Sequence, residues 1–199
     1  MSPIPKSDAR MSPNPQAEVL AKPVGASVVL ALGSNLGDRS SIIRDAVRAI
    51  ADLEACELTI VSALYESAAV KPGGVDPDAP PYLNAVVTVR YSKDPHTLLD
   101  AVNAIENDHG RVRTERWGDR TLDIDIIVFD QVELTDDRLT IPHPRAWQRD
   151  FVLAPWLQLD PEAVIPGRGR VADLLADVLA VSDNTARPIE DQFVDGGDR

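Results

Sequence analysis

Apolar and polar residues recur along the chain with two different periods, and these periods predict its regular elements. Short apolar runs predict four strands, at Val28–Leu32, Leu58–Tyr65, Tyr82–Tyr91 and Thr121–Phe129. Apolar residues at every third or fourth position predict two helices between these strands. Asp38 is the expected N-cap of the first helix, and Asp94 followed by Pro95 marks the start of the second. The elements therefore follow in the order β-α-β-β-α-β.

This order is the split pattern of a ferredoxin-like α+β fold. Such a fold has a largely antiparallel sheet with both helices packed on one face, which leaves the other face for ligands and added elements. The residues that follow the last predicted strand supply extra C-terminal elements. They include one more amphipathic helix, predicted from Val171, Leu174, Leu175, Val178 and Leu179.

Composition sets the expected limits of the folded domain. Residues 1–26 contain five prolines and no apolar periodicity, so they are expected to form a disordered N-terminal tail. Residues 182–199 are polar and acidic and are expected to form a flexible C-terminal tail. A single domain of residues 27–181 remains between them. Inside it, Ser67–Pro81 holds four prolines and two glycines, which predicts a long irregular loop of the kind that usually has a function.

The charge of the 199-residue chain limits its partners. The formal net charge of −12 argues against nonspecific binding to nucleic acid or to anionic membranes, because both need a basic surface. Cys56 is the only cysteine, so an internal disulfide and a cysteine-rich zinc site are excluded. No apolar run approaches the roughly 18 residues of a spanning helix. We therefore expect a cytoplasmic protein, with a monomer as the default.

The most informative chemistry lies at the last predicted strand. Asp123 and Asp125 alternate with apolar residues, so their side chains project from the same face, about 6.5 Å apart. This spacing suits a shared magnesium site, because Mg²⁺ usually binds one or two carboxylates together with substrate phosphates. The segment just before the strand contains Arg111, Arg113, Arg116 and Arg120. Guanidinium groups match phosphate oxygens, so the pattern indicates a metal-bound polyphosphate.

Simple solvation is the alternative for these charges, because charged residues before a strand are usually exposed. The opposite face of the strand argues against simple solvation, because an apolar face predicts a strand that packs on the core. Carboxylates on such a strand are half-buried, and they need a cation or an arginine beside them. We expect that apolar face to comprise Leu122, Ile124, Ile126 and Val128.

Three further patterns have both a functional and a structural interpretation. Tyr82 and Asn84 share one strand face and suit a flat heterocycle, although a strand tyrosine is more often core. Gly33–Gly37 follows a strand and precedes a helix, where it is either a phosphate cradle or a plain turn. His143 stands between two prolines, either as a ligand contact or as an exposed side chain.

Taken in order, six motifs resemble the signature of the 6-hydroxymethyl-7,8-dihydropterin pyrophosphokinase family. They are Leu32-Gly-Ser-Asn-Leu-Gly37, Tyr82-Leu-Asn84, Gly110-Arg-Val-Arg113, Arg116-Trp-Gly118, Arg120-Thr-Leu-Asp-Ile-Asp125 and Pro142-His143. The resemblance covers about Val28 to Pro166. It implies the ferredoxin-like fold and an ATP-dependent diphosphotransferase of folate biosynthesis. Such an enzyme moves the terminal diphosphate of ATP onto the pterin hydroxymethyl group and releases AMP.

The resemblance also implies roles for individual residues. Asp123 and Asp125 would hold two Mg²⁺ ions. The residues implied in transfer itself are Arg111, Arg116, Arg120, Asp123 and Asp125. Those implied in ATP binding are Glu106, Arg113, Trp117, Arg120, Ile126, Arg138, Thr140, His143 and Arg149. Those implied in pterin binding are Ser67, Val70, Tyr82, Asn84, Asp123 and Phe151, with Tyr82 and Phe151 enclosing the ring.

Two other classes of function remain open on the sequence. A noncatalytic module could bind the nucleotide and the pterin without transfer, although the intact carboxylate pair argues against it. A two-metal phosphodiesterase would hydrolyse ATP analogues or nucleic acid without a pterin, which the acidic net charge makes less favourable. The expected partners are the two small-molecule substrates, with neither nucleic acid nor membrane.

Overall fold

A computed structural model describes residues 25–71, 74–76, 78–110, 121–182 and 185–190. The helices within these ranges are α1 (Arg39–Ala51), α2 (Pro95–Asp108), α3 (Asp150–Leu159) and α4 (Val171–Val181), with a 3-10 turn at Ala146–Gln148. The strands are β1 (Ala26–Ser34), β2 (Cys56–Val61), β3 (Tyr65–Ser67), β4 (Val70–Lys71), β5 (Gly74–Val75), β6 (Tyr82–Tyr91), β7 (Asp123–Phe129), β8 (Leu134–Thr135), β9 (Thr140–Ile141), β10 (Val164–Ile165), β11 (Gly169–Arg170) and β12 (Arg187–Pro188). Most of the expected N-terminal tail, residues 1–24, lies outside the described residues.

The central sheet has the order β12-β3-β6-β1-β7, with β2 paired to β6 alongside β3. All of its neighbouring strands are antiparallel. Because β1, β2, β6 and β7 follow one another with α1 and α2 between them, the predicted ferredoxin-like α+β core is confirmed. The capping predictions are confirmed as well. Asp38 accepts the Ser41 N–H, and Asp94 accepts the N–H groups of His96 and Thr97.

The sheet separates two apolar layers. α1 and α2 cover one face, with a core that includes Leu30, Ile43 and Val102. α3 and α4 cover part of the other face, with a second core that includes Val86, Leu153 and Trp156. The two helices of the predicted core, α1 and α2, therefore share one face as predicted, and the added helices occupy the other face, which was expected to hold added elements and ligands. Part of this second face remains open beside α3.

Helix α3 was not predicted, and its packing explains why. It lies between the sheet and α4, so apolar side chains are needed on more than one side of the helix. Its sequence, DFVLAPWLQL, consequently lacks the polar stripe that gives a surface helix its period. A Pro inside it further weakens the pattern.

The predicted strand Leu58–Tyr65 is two strands, β2 and β3, separated at residues 62–64. At the break, the Ser62 hydroxyl accepts the Val86 N–H over 2.9 Å in place of a backbone carbonyl. The Ala63 N–H turns away from the sheet and donates to Gln158 of α3. The Ser62 N–H still donates to the Val86 carbonyl over 2.9 Å, so side chains replace only part of the strand ladder at this break, which a periodicity argument does not detect.

A β-bulge in β7 changes which face its last residues occupy. Val29 is opposite Val128 and Leu30 is opposite Ile126, so Ile127 is the extra residue. Ile127 and Val128 consequently both join the core beneath α3. The expectation that Val128 shares a face with Leu122, Ile124 and Ile126 is therefore wrong.

The segment expected as a solvated C-terminal tail contains ordered backbone. Arg187 and Pro188 form β12, which pairs with Glu66 and Tyr65 of β3. This corrects the expected boundary at residue 182, and the physical reason is that β3 would otherwise leave an open sheet edge. Residues 183–184 and 191–199 of that tail lie outside the described residues.

The loop expected at Ser67–Pro81 is also partly regular, since β4 and β5 pair within it.

In the part of the chain that the structure describes, no helix is long and apolar enough to span a membrane.

Candidate active site

The carboxylate pair lies on the open part of the sheet beside α3. Asp123 is opposite Gly33 of β1 and Asp125 is opposite Ala31, so both carboxylates project from the same face. Both line one cleft, as their spacing predicted. The side chain of Asp125 is 32% exposed, which leaves an oxygen-rich face accessible to a ligand.

A glycine forms the floor of this cleft. Gly33 pairs with Asn84 of β6 on one side and with Asp123 of β7 on the other, so these three residues form one row across the sheet. A Cβ atom at Gly33 would lie 3.4 Å from the Asn84 Oδ1 atom and 3.9 Å from the Tyr82 ring. The missing side chain therefore keeps the space between the amide and the carboxylate open.

The Asn84 side chain is buried and held in one orientation. Its Nδ2 group donates to the Ser67 hydroxyl over 2.9 Å and to the Tyr65 carbonyl over 3.3 Å. Both acceptors belong to β3, while Oδ1 is the amide atom nearest to the open position above Gly33. The amide can thus offer an acceptor to a bound ring without first breaking its own hydrogen bonds.

The start of α3 forms the opposite wall. Arg149 precedes the helix, and its guanidinium donates to Asp125 Oδ2 over 3.1 Å. The same guanidinium lies 5.6 Å from the centroid of the Phe151 ring. One arginine therefore connects the carboxylate pair to an aromatic surface. Ser67, Tyr82, Asn84 and Phe151, all predicted to bind a pterin, line this cleft together.

His143 contacts the carboxylate pair from the other side. Its Nδ1 atom accepts the Arg145 N–H over 3.2 Å, and its Nε2 atom lies 3.6 Å from Asp125 Oδ2. Burial lowers the pKa of the imidazole, opposed chiefly by the charge of Asp125. A neutral ring that accepts at Nδ1 carries its proton on Nε2, which faces the carboxylate.

This pKa shift predicts a pH dependence of stability. The pKa of His143 is lower in the folded protein than its ordinary value of 6.5. The unfolded chain therefore binds the proton first as pH falls, and the free energy of unfolding decreases from about pH 6.5 downward. We expect His143→Gln to show a smaller decrease between pH 7 and pH 5 in denaturant titrations. Pro144→Ala, which keeps the imidazole, should retain the wild-type slope, and equal slopes in all three proteins would contradict the assignment.

A second cleft adjoins the first and shares Asp125 with it. Its lining includes four residues predicted to bind ATP, namely Ile126, Arg138, Thr140 and His143. Arg138 lies in the turn between β8 and β9, where its guanidinium pairs with Asp100 of α2. A hydrogen bond between His96 Nε2 and Asp136 Oδ2, at 2.8 Å, connects the same turn to α2. The structure thus groups most predicted ligand contacts into two clefts that meet at Asp125.

Glu106, which the family resemblance implies in ATP binding, is buried and lines neither of the two clefts that the described residues form. Its Oε1 atom accepts the Ile124 N–H over 2.7 Å. Ile124 lies between the two aspartates, so Glu106 supports the strand that carries them.

Several predicted site residues lie outside the described residues, namely Arg111, Arg113, Arg116, Trp117 and Arg120. The backbone of Val70 is described in β4, but its side chain is not. Conversely, the positions of Gly33 in the cleft floor and of Ala31 beside Asp125 were not predicted. The motif Leu32–Gly37 could have indicated a role for Gly33. The register of β1 with β6 and β7, which places Gly33 between Asn84 and Asp123, could not be predicted from local sequence.

The fold and the site together define an α+β protein with a small-molecule site, in which one of two paired carboxylates, Asp125, lines two adjoining clefts. The chain belongs to the 7,8-dihydro-6-hydroxymethylpterin-pyrophosphokinase family, whose family model matches residues 29–161.

Three curated relatives show the extent of the similarity, and each is named 2-amino-4-hydroxy-6-hydroxymethyldihydropteridine pyrophosphokinase. The Haemophilus influenzae protein is 38% identical over 146 residues, which is 73% of this chain and 89% of the relative. The Bacillus subtilis protein is 41% identical over 130 residues, which is 65% of this chain and 75% of the relative. The Pseudomonas aeruginosa protein is 40% identical over 149 residues, which is 75% of this chain and 90% of the relative.

Solved structures support the fold. A Plasmodium falciparum HPPK-DHPS structure with pterin and p-hydrobenzoate matches with a TM-score of 0.59 at 15% identity, over 78% of this chain and 44% of that chain. A second one, HPPK-DHPS A437G with SDX-DHP, gives the same TM-score over 46% of its length. The protein thus spans less than half of those longer chains, and at this identity the likeness concerns the fold alone.

Proposed function

We propose that the protein transfers the terminal diphosphate of ATP to the hydroxymethyl group of 6-hydroxymethyl-7,8-dihydropterin, giving AMP and the pterin diphosphate in folate biosynthesis. The observation that carries this proposal is the position of Asp125, which lines both clefts. A donor bound in one cleft and an acceptor bound in the other would meet at the carboxylate pair. Family membership supports the identities of the donor and the acceptor.

The pterin occupies the first cleft in this proposal. Tyr82 and Phe151 supply aromatic surfaces, and the Asn84 amide oxygen supplies a polar contact to the edge of the ring. ATP occupies the second cleft, where Arg138, Thr140 and His143 contact it and Arg149 reaches its phosphates beside Asp125. Arg111, Arg113, Arg116, Trp117 and Arg120 are proposed to complete the phosphate site, as the family resemblance implies.

Asp123 and Asp125 fit a magnesium site by the chemistry of their donors. Two carboxylates on one strand face, with Asp125 partly exposed, provide the hard oxygen ligands that Mg²⁺ takes when it also binds phosphate. When bound, two ions would neutralise phosphate charge and hold the attacking and leaving oxygens. The Arg149 guanidinium donates a hydrogen bond to Asp125. With ATP bound, some of its N–H groups could donate to phosphate oxygens instead.

The transfer step needs mainly positioning. The pterin hydroxyl oxygen forms a bond to the β-phosphorus of ATP, the bond from that phosphorus to the α-β bridging oxygen breaks, and the hydroxyl proton is released. The floor at Gly33 and the fixed Asn84 amide position the acceptor, while the Nε2–H group of the neutral His143 can donate a hydrogen bond to a phosphate oxygen.

Phosphorus NMR of the purified protein with ATP, Mg²⁺ and the pterin tests the proposal. We expect AMP and a pterin diphosphate in equal amounts. ADP would instead show single-phosphate transfer, and hydrolysis without pterin would show a phosphodiesterase. Ligand binding without turnover would show the noncatalytic alternative.

The open floor of the cleft gives a prediction for Gly33→Ala. The new Cβ would make only ordinary contacts with Asn84 and Tyr82, so the fold should persist, but it would occupy space that the pterin needs. We expect the KM for the pterin to rise about tenfold while the KM for ATP stays near its wild-type value. Steady-state kinetics with each substrate varied in turn measures both constants. An unchanged KM for the pterin would place the ring elsewhere.

A cytoplasmic monomer is part of the proposal. The single cysteine, Cys56, suits a reducing compartment. Sedimentation velocity of the purified protein would test the monomer, and a concentration-dependent increase in the sedimentation coefficient would contradict it.

A further inference from the structure

The C-terminal strap, defined as residues 185–190, contacts residues that adjoin both walls of the first cleft. The backbone N–H of Ala186 donates to Asp150 Oδ2 over 2.6 Å, at the first residue of α3. Arg187 and Pro188 then pair with Glu66 and Tyr65 of β3, and the Ile189 N–H donates to the Leu64 carbonyl over 2.9 Å. The strap therefore joins two elements that are far apart along the chain.

Each of these two elements presents groups to the cleft. β3 supplies the Ser67 hydroxyl and the Tyr65 carbonyl that hold the Asn84 amide. The start of α3 supplies Phe151, whose own N–H donates to Asp150 Oδ1 over 2.9 Å. Asp150 thus bonds the strap with one oxygen and the backbone of Phe151 with the other. A displacement of the strap would change the separation between the Asn84 amide and the Phe151 ring.

We propose that the C-terminal strap is a positioning segment, which sets the width of the first cleft and thereby the affinity for the heterocyclic acceptor. The inference rests on the proposed function for the identity of that acceptor. The strap lies beyond residues 29–161, so the match to the family carries no information about it. The strap's partners adjoin Ser67 and Phe151 of the first cleft in sequence, whereas among the described residues none of them adjoins a residue that lines the second cleft. Arg149, which reaches the phosphates of ATP in the proposed function, directly precedes Asp150, so the larger effect, and not the whole of it, should fall on the acceptor.

The test uses full-length variants that remove single strap bonds. Ala186→Pro removes the N–H that reaches Asp150, and Asp150→Ala removes the acceptor of the same bond. Ile189→Pro removes the N–H that reaches Leu64. Arg187→Ala is the matched control, because the Arg187 side chain is exposed and its backbone pairing is kept.

We expect Ala186→Pro and Ile189→Pro each to raise the KM for the pterin about fivefold, with less than about a twofold change in the KM for ATP. The Arg187→Ala control should match the wild type. The double variant Ala186→Pro/Asp150→Ala should raise the KM for the pterin no further than Asp150→Ala alone, because both changes remove one bond.

Two results would overturn the inference. One is a lower melting temperature with an unchanged KM for the pterin, which would make the strap merely a cover for the sheet edge. The other is an equal rise in both KM values. Wild-type turnover is measured first, so failure of the proposed function is seen before any variant is compared. A fluorescence titration of the pterin, which needs no turnover, then supplies the same comparison as dissociation constants.

Discussion

Asp125→Asn should lower turnover at least about 10³-fold while leaving the fold intact, because it removes a charged oxygen ligand at the point where the two clefts meet. The asparagine has nearly the same shape, and the position is partly exposed, so core packing is unchanged. The loss should appear in kcat with both substrates saturating, which separates it from a loss of binding.

The matched control for this variant is Asp130→Asn, which makes the same chemical change directly after β7. The Asp130 side chain is exposed and lies in neither cleft lining among the described residues. Its turnover and melting temperature should equal those of the wild type. Near-normal turnover of Asp125→Asn would remove this carboxylate from the transfer step.

Glu106→Ala should cost both stability and activity, whereas Glu106→Gln should largely preserve both. The buried carboxylate accepts the Ile124 N–H, and alanine would leave that donor without its partner at the centre of the aspartate pair. We expect the free energy of unfolding to fall by about 2 kcal/mol in the alanine variant. The glutamine amide oxygen can still accept this bond. Urea titrations and steady-state kinetics measure the two effects.

This pair of variants also separates support of β7 from the ATP contact that the family resemblance implies. A direct role of the Glu106 charge in ATP binding predicts that Glu106→Gln raises the KM for ATP at unchanged stability. Asp108→Ala, an exposed change at the end of the same helix, is the control for general effects on α2. Wild-type stability of Glu106→Ala would contradict the supporting role.

The features that the sequence predicted correctly are those that depend on local geometry. Asp123 and Asp125 share a face because strand side chains alternate, and the same rule brings Tyr82 and Asn84 into one cleft. The caps at Asp38 and Asp94 likewise depend only on the next few residues. The β-α-β-β-α-β order could therefore be read from periodicity and caps alone.

The features that were missed depend on contacts between distant segments. Arg149 reaches Asp125 across 24 positions of sequence, and that pairing follows from the packing of α3 on the sheet. The bulge at Ile127 is a property of two strands together, so Val128 was assigned to the wrong face. Strand β12 forms because the edge of β3 accepts it, although its own two residues carry no strand pattern.

The row Asn84, Gly33 and Asp123 makes strand length a quantity on which function depends. A single-residue insertion in β1 ahead of Gly33 would shift its register and turn the adjoining side chain into the cleft, since alternate residues face opposite sides. The register of the sheet thus fixes the distance between the bound pterin and the carboxylate, and this register can change only in steps of one residue. A change of chain length outside these strands is compatible with the site only where it leaves this register intact, so each of the three strands must keep its number of residues.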